Sequence, residues 1–247
     1  MNRLKYLFLL TFSTNLLSDE FKYRFDWFSL PVADLTISYE DLIADENMTR
    51  FSLKSRGPLS VYRHYQSNGY IRKINEESWY FYLNGYDRNI FEEKKILYNR
   101  NDLPLVEIFS DDSGVKPLKT ITDDIGAIDS FSLLIQIMKN LQYENNCEKQ
   151  YYIYDGKRRY RVKSRFIKKE IMTYNHEQFS RGEVFLCNLE IKQNIVNPTI
   201  SKKRLWPFND VKREVKIWFA RSLNFSPVKF QFKSPIGNIT GELSSIN

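Results

Sequence analysis

Histidine and cysteine are nearly missing from this sequence: each occurs twice in 247 residues, as His64, His176, Cys147 and Cys187. A metal centre needs several imidazole, thiolate or carboxylate ligands converging on one ion. Neither histidine has another good ligand at metal spacing, so no metal or other cofactor is expected. The chain also lacks a glycine-rich phosphate loop, a nucleophile-elbow motif and a His-Glu-x-x-His helix. The common sequence signs of phosphoryl transfer, serine hydrolysis and zinc proteolysis are therefore absent. Past the first 18 residues no run approaches the roughly 20 apolar residues that a membrane helix needs.

What is present starts at the N-terminus. Met1-Asn2-Arg3-Leu4-Lys5 is basic, Tyr6 to Phe12 is apolar, and Ser13 to Ser18 ends on a small residue. These are the three parts of a secretory signal peptide, with cleavage expected between Ser18 and Asp19. No cysteine lies near that junction, so a lipid-modified N-terminus is not expected. The mature chain, 19–247, is read as a single β-rich domain in the periplasm. Losing Arg3 and Lys5 lowers the formal charge of +7 by two. A basic exported protein meets anionic lipid headgroups or envelope polysaccharide rather than nucleic acid, although such a surplus is commonly just a solvated surface. In that oxidising compartment Cys147 and Cys187 are expected to form a structural disulfide. The other reading, a cysteine nucleophile, would need a partner that stabilises the thiolate.

Most of the chain reads as strand. In Val215-Lys216-Ile217-Trp218-Phe219 and in Val228-Lys229-Phe230-Gln231-Phe232-Lys233 apolar residues take every second position. Each such strand has one buried and one wet face. Similar runs occupy 21–28, 34–39, 49–53, 69–74, 79–83, 94–98, 105–109, 160–166 and 183–192. Turn signals separate them at Ser67-Asn68-Gly69, Asn84-Gly85, Asp112-Ser113-Gly114 and Ile236-Gly237-Asn238. Asp155-Gly156 reads as a two-residue hairpin. A long basic loop is expected over 197–210.

One segment breaks this pattern. Phe131, Leu134, Ile135, Met138 and Leu141 recur at helical spacing, and Leu133 and Ile137 widen the stripe. Asp129 or Ser130 can cap its start. The spacing predicts one helix over 130–142, apolar around much of its girth and so covered on more than one side. A short second helix is expected at Pro58–Val61. The fold that meets these demands is mainly β: a strongly curved antiparallel sheet, or open barrel, wrapped around the helix. The helix stripe is then either core or the lining of a ligand site.

Two surface features carry chemistry to weigh. Arg159, Arg161, Lys163 and Arg165 share one face of a strand, about 7 Å apart along it. This stripe is either a dock for lipid phosphates or an acidic partner, or the wet face of an amphipathic strand. Asp111-Asp112, Asp123-Asp124 and Asp129 supply paired carboxylates of the kind that hydrolyse glycosides, yet they fall at turns and a helix start, where aspartate is favoured anyway.

The C-terminal two thirds resemble an exported bacterial family, domain of unknown function 3108. Ala127-Ile128-Asp129-Ser130-Phe131-Ser132-Leu133-Leu134 is similar to its Gly-Thr-x-Asp-Pro-hydrophobic-Ser-x-Leu lead into the helix, with Ser130 in place of proline. Cys147 followed by Tyr154-Asp155-Gly156-Lys157-Arg158-Arg159-Tyr160 resembles its cysteine and Phe-Asp-Gly-Arg-Arg-Arg-Tyr-like run. Cys187 falls in the strand that carries its second cysteine, and Ile217-Trp218, Pro227-Val228 and Ile236 to Ile239 look like its final hairpins. Phe25-Asp26-Trp27 to Leu35 is a fainter match without the family's usual glycines. The resemblance implies an all-β envelope protein of no established activity. Taken together, the expectation is a non-enzymatic binding or carrier module for an apolar or amphiphilic envelope ligand. A structural or assembly factor that binds another envelope protein is the second reading, and a polysaccharide hydrolase the third.

Overall fold

Alternation of apolar and polar side chains leaves each strand one face to bury, and the chain meets that demand with a single 13-stranded antiparallel sheet. The computed structural model describes residues 19–39, 48–112, 117, 119–173, 181–194, 212–234 and 237–247. The expected signal peptide over 1–18 and the loop over 197–210 lie outside the described residues. The first seven strands are β1 (Asp19–Trp27), β2 (Leu30–Tyr39), β3 (Met48–Ser55), β4 (Tyr65–Lys73), β5 (Ser78–Asp87), β6 (Ile90–Asn99) and β7 (Leu105–Ser110). Helix α1 (Gly57–Tyr62) sits between β3 and β4, close to the short helix expected there. Helix α2 (Ser130–Glu144) follows β7. The remaining strands are β8 (Lys149–Tyr154), β9 (Arg159–Thr173), β10 (Arg181–Asn194), β11 (Lys212–Ala220), β12 (Ser226–Ser234) and β13 (Gly237–Ile246).

In space the order runs β7-β6-β5-β4-β3-β2-β1-β13-β12-β11-β10-β9-β8. The first and last strands thus pair in the middle of the sheet, and β7 and β8 form its two edges. No ladder joins these edges among the described residues, so the sheet curls like a barrel without closing. Helix α2 lies on the chain segment that crosses from one edge to the other.

The core follows from register. Phe25, Gly241, Phe230, Ile217, Cys187 and Phe166 are successive partners across β1, β13, β12, β11, β10 and β9. The Phe25 ring covers the gap left at Gly241, where an added Cβ would lie 2.2 Å from it. This row faces α2 and belongs to one core cluster with Leu133, Ile137 and Leu141. A smaller cluster, Phe51, Ile71, Phe81, Ile96 and Tyr98, covers the other side of the helix through Phe131 and Ile135. Val184, Leu186, Trp218 and Ala220 form a third cluster on the opposite face of β10 and β11.

Three expected turns fall elsewhere. Ser67-Asn68-Gly69 lies inside β4 and Asn84-Gly85 inside β5. Both glycines serve close approach: a Cβ on Gly69 would sit 2.4 Å from the Phe51 ring, and one on Gly85 would sit 2.1 Å from the Gln66 carbonyl oxygen. The chain instead reverses after Asp87, with Arg88 at φ 62. The 155–158 hairpin is shifted by one residue. Asp155 N–H bonds the Arg158 carbonyl at 3.1 Å, while its carboxylate accepts from Lys157 N and Arg158 N at 2.8 and 2.6 Å. Asp155 is therefore the corner that braces the turn, and Gly156 alone takes positive φ there.

Candidate functional site

Helix α2 is held at both ends before it is packed at all. Asp129 caps it: Oδ1 accepts from Phe131 N at 2.9 Å and Ser132 N at 2.8 Å, and Oδ2 accepts from the Ser132 hydroxyl. The carboxyl is buried, and that burial raises its pKa against the pull of these donors. Asn145 ends the helix in the left-handed region, φ 52, with its N–H on Leu141 O. Leu133, Ile137 and Leu141, at 5%, 0% and 0% exposure, form the sealed centre of the stripe. Of the five expected stripe residues only Leu141 is fully buried. Phe131, Leu134, Ile135 and Met138 flank that centre and stay half-buried. The deepest line of the helix is thus one position round from the expected one, because the sheet wraps it from two sides.

Those flanking residues meet inward-facing sheet residues, buried ones such as Phe51 and half-buried ones such as Tyr39. Phe131 stacks on Phe51, ring centroids 3.6 Å apart, and the Tyr39 hydroxyl reaches Met138 Sδ at 3.5 Å. Trp27, Leu53, Trp79, Tyr160, Phe166, Ile191, Phe232 and Ile239 pack on the main core while keeping part of their surface exposed. Two buried polar groups near this core have no hydrogen-bond partner, Trp79 Nε1 and Ser164 Oγ. Trp79 stacks on Tyr98 at 5.4 Å.

Side chains, rather than a backbone ladder, join β6, next to one edge of the sheet, to β8 and its turn at the other. The Tyr98 hydroxyl on β6 donates to the Tyr154 carbonyl on β8 at 2.6 Å. Lys94 Nζ donates to the Asp155 carbonyl at 3.3 Å, and Lys157 pairs with Glu92. Burial drives the phenols of Tyr98 and Tyr154 upward, the latter to about 12. Next to this seam the segment entering α2 bonds the free edge of β8, through Ile128 N to Tyr152 O and Tyr154 N to Ile128 O. Sequence reasoning missed the side-chain seam, since its partners lie 56 to 65 residues apart.

Cys147 and Cys187 form the expected disulfide, Cα atoms 6.4 Å apart, both fully buried. It ties the exit of α2 to the inner face of β10. On the chain-entropy account, closing a loop of this size contributes about 4 kcal/mol.

The basic stripe divides. Arg159 does not join the other three cations: it is 5% exposed and held by Asp124, Nε to Oδ1 and Nη2 to Oδ2 both at 2.6 Å. Its Nη2 also donates to Lys119 O at 2.6 Å, and its guanidinium lies 5.3 Å from the Tyr154 ring centroid. It nails the β7–α2 crossover to the sheet. Arg161, Lys163 and Arg165 do reach solvent, Arg165 pairing with Glu190 at 3.0 Å and Arg161 lying over Tyr152. Of the carboxylates weighed for hydrolysis, Asp124 and Asp129 thus carry structural bonds.

Two concavities, of about 530 and 370 Å³, open to solvent on the outer face of the sheet. The first lies over Arg24, Asp26, Lys229 and Glu242, and the second over Arg50, Asn68, Tyr70, Tyr82 and Asn84. No helix among the described residues is long and apolar enough to cross a membrane.

The geometry agrees with what comparison finds. The family model for "Protein of unknown function (DUF3108)" matches residues 22–244. The chain belongs to this family. Its match extends through β1–β7, the part where the motif resemblance was faint. Among solved structures, a beta-barrel-like protein of domain of unknown function DUF1849 from Brucella abortus is similar over 94% of this chain and 98% of its own, with TM-score 0.61 and 11% identity. At that identity the likeness is one of fold. A "putative lipoprotein" from Parabacteroides distasonis aligns over 93% of this chain and 95% of its own, with TM-score 0.42 and 9% identity. No curated protein matches the chain.

Proposed function

We propose that this DUF3108 member is a non-enzymatic binding or carrier module of the bacterial envelope, exported to the periplasm by cleavage after Ser18, and that its ligand is apolar or amphiphilic. One observation carries the reading: apolar side chains on both the helix and the inner face of the sheet stay half-exposed, although the centre of the helix is sealed. The ligand's apolar part lies along Phe131, Leu134, Ile135 and Met138. Its polar end meets the unpartnered N–H of Trp79, a donor that suits a carbonyl or carboxylate oxygen. Access is through the seam, where side-chain bonds rather than a ladder hold β6 against β8 and the β8–β9 turn among the described residues. Native mass spectrometry of protein purified from its own periplasm tests this. The expected spectrum carries an organic-extractable adduct, and a bare polypeptide mass together with no uptake of added palmitate would contradict the reading.

A second reading has its own support. On the free edge strand β7, Leu105 and Phe109 are 67% and 59% exposed, and exposed Tyr86 and Ile90 lie on the adjoining β5 and β6. An apolar open edge suits pairing with another envelope protein. Affinity capture with Phe109→Lys as control distinguishes it: a partner lost in that variant favours assembly over carriage.

A further inference from the structure

The outer face of β2–β5 carries a second concave site, which the interior reading does not use. Register places Ser38, Arg50, Tyr70 and Tyr82 in one row and Thr36, Ser52, Asn68 and Asn84 in the next. These residues lie under the solvent-open concavity of about 370 Å³. The Tyr70 and Tyr82 rings stack at 5.2 Å and 29°, and Tyr80 extends the aromatic surface, 6.0 Å from Tyr70. Asn84 Nδ2 donates to the Tyr82 hydroxyl at 3.1 Å, which fixes both groups. Every one of these side chains stands on a strand, so the ladder register sets their spacing.

The chemistry of the floor excludes several ligands. Apolar molecules need an enclosed apolar cleft, and this one is open, lined about equally by polar and apolar groups. A polyanion needs a surplus of cations, whereas the floor holds one arginine, Arg50, and one carboxylate, Glu20. What fits is a molecule with a flat C–H face and a rim of hydroxyl groups. An aromatic ring accepts such a face through the negative charge on its π surface, while amide and hydroxyl side chains donate to and accept from the rim. The larger concavity has one ring, Phe28, and no aromatic pair, and two ion pairs cross its floor, Arg24 with Asp26 at 2.9 Å and Lys229 with Glu242 at 2.7 Å.

We propose that the Tyr70–Tyr82 face binds an uncharged pyranoside chain, each tyrosine stacking on a sugar ring, with Asn68 and Asn84 bonding its hydroxyls. Isothermal titration with chitohexaose and cellohexaose tests it. The wild type should bind one of the two. Tyr82→Ala and Asn68→Ala should each weaken binding about tenfold, the loss of one ring contact or hydrogen bond, whereas Tyr82→Phe should keep most of it. Asn68 is exposed, so its variant tests the site without disturbing the core, and palmitate uptake by all three variants should match the wild type. Failure of the wild type to bind either hexasaccharide, or equal binding by Tyr82→Ala and Asn68→Ala, overturns the proposal and leaves the interior reading standing.

Discussion

In the wing from β8 to β12 the sheet is buried on both faces along β10, β11 and the start of β12; in the wing from β3 to β7 it is buried on one. Phe185 and Cys187 are sealed against the helix while their neighbours Val184 and Leu186 are sealed on the other side with Trp218 and Ala220. In β4–β6 only Ile71, Phe81, Ile96 and Tyr98 are buried apolar residues, and most of their neighbours are half-exposed. The disulfide and the Asp124–Arg159 pair both belong to the first wing. Local stability follows burial and satisfied internal bonds, so the first wing is a fixed wall and the second a leaf that rests on the helix and on the Tyr98–Lys94–Glu92 contacts. The proposed carrier role would use that division, one side holding the ligand's shape and the other letting it in.

The sharpest way to break the comparison is at the wall. Asp124→Ala leaves Arg159 buried without its partner and should cost about 3–5 kcal/mol, measured by urea unfolding. A cost under about 1 kcal/mol, as for an exposed pair, would mean that the crossover is not anchored there. Next comes the helix. Ile137→Ala, in the sealed centre, should cost about 2–5 kcal/mol, whereas Met138→Ala on the half-exposed flank should cost about 1 kcal/mol and increase uptake of a fluorescent apolar probe. Equal costs, with no probe bound by either variant, would make the helix a simple plug.

The smallest effect lies at the seam. Tyr98→Phe leaves the buried Tyr154 carbonyl without its donor and should cost about 1–2 kcal/mol. It should also blunt alkaline unfolding. Burial raises the folded-state pKa values of Tyr23, Tyr98, Tyr151 and Tyr154, the last two to about 12. Above pH 10 the unfolded chain loses these protons first, so it binds fewer than the folded one, and stability falls as pH rises from 10 towards 12. Removing Tyr98 should make that slope shallower by about 1.4 kcal/mol per pH unit. Melting curves between pH 8 and 11.5 read it directly, and an unchanged slope would show that Tyr98 does not contribute.

How much of this was legible depended on which face each residue used. Strands β11 and β12 were legible because alternation survives over Val215-Lys216-Ile217 and Lys229-Phe230-Gln231, although Trp218, Ala220 and Val228 bury the second face beyond that stretch. β13 was not found as a strand, because Gly237-Asn238-Ile239-Thr240-Gly241 is mostly small and polar. It pairs there because β1 and β12 flank it and the Phe25 ring covers Gly241. Gly69 and Gly85 were misread as turns since a glycine that admits a neighbouring ring or backbone looks, in sequence, like one that turns the chain. The helix and its Asp129 cap were local and so readable. Its deepest line was not, because the wrap of the sheet decides it. Arg159 looked like one cation among four, and only the fold brings Asp124 to it. The aromatic face at Tyr70 and Tyr82 exists only once β4 and β5 pair.

Hydrogen exchange followed by mass spectrometry tests the central claim most directly, with and without palmitate. The account predicts that amides of β4–β7 exchange well before those of β8–β12, and that palmitate slows β5–β7 and α2 while leaving β10 and β11 unchanged. Equal exchange in both wings, unaffected by palmitate, would contradict it.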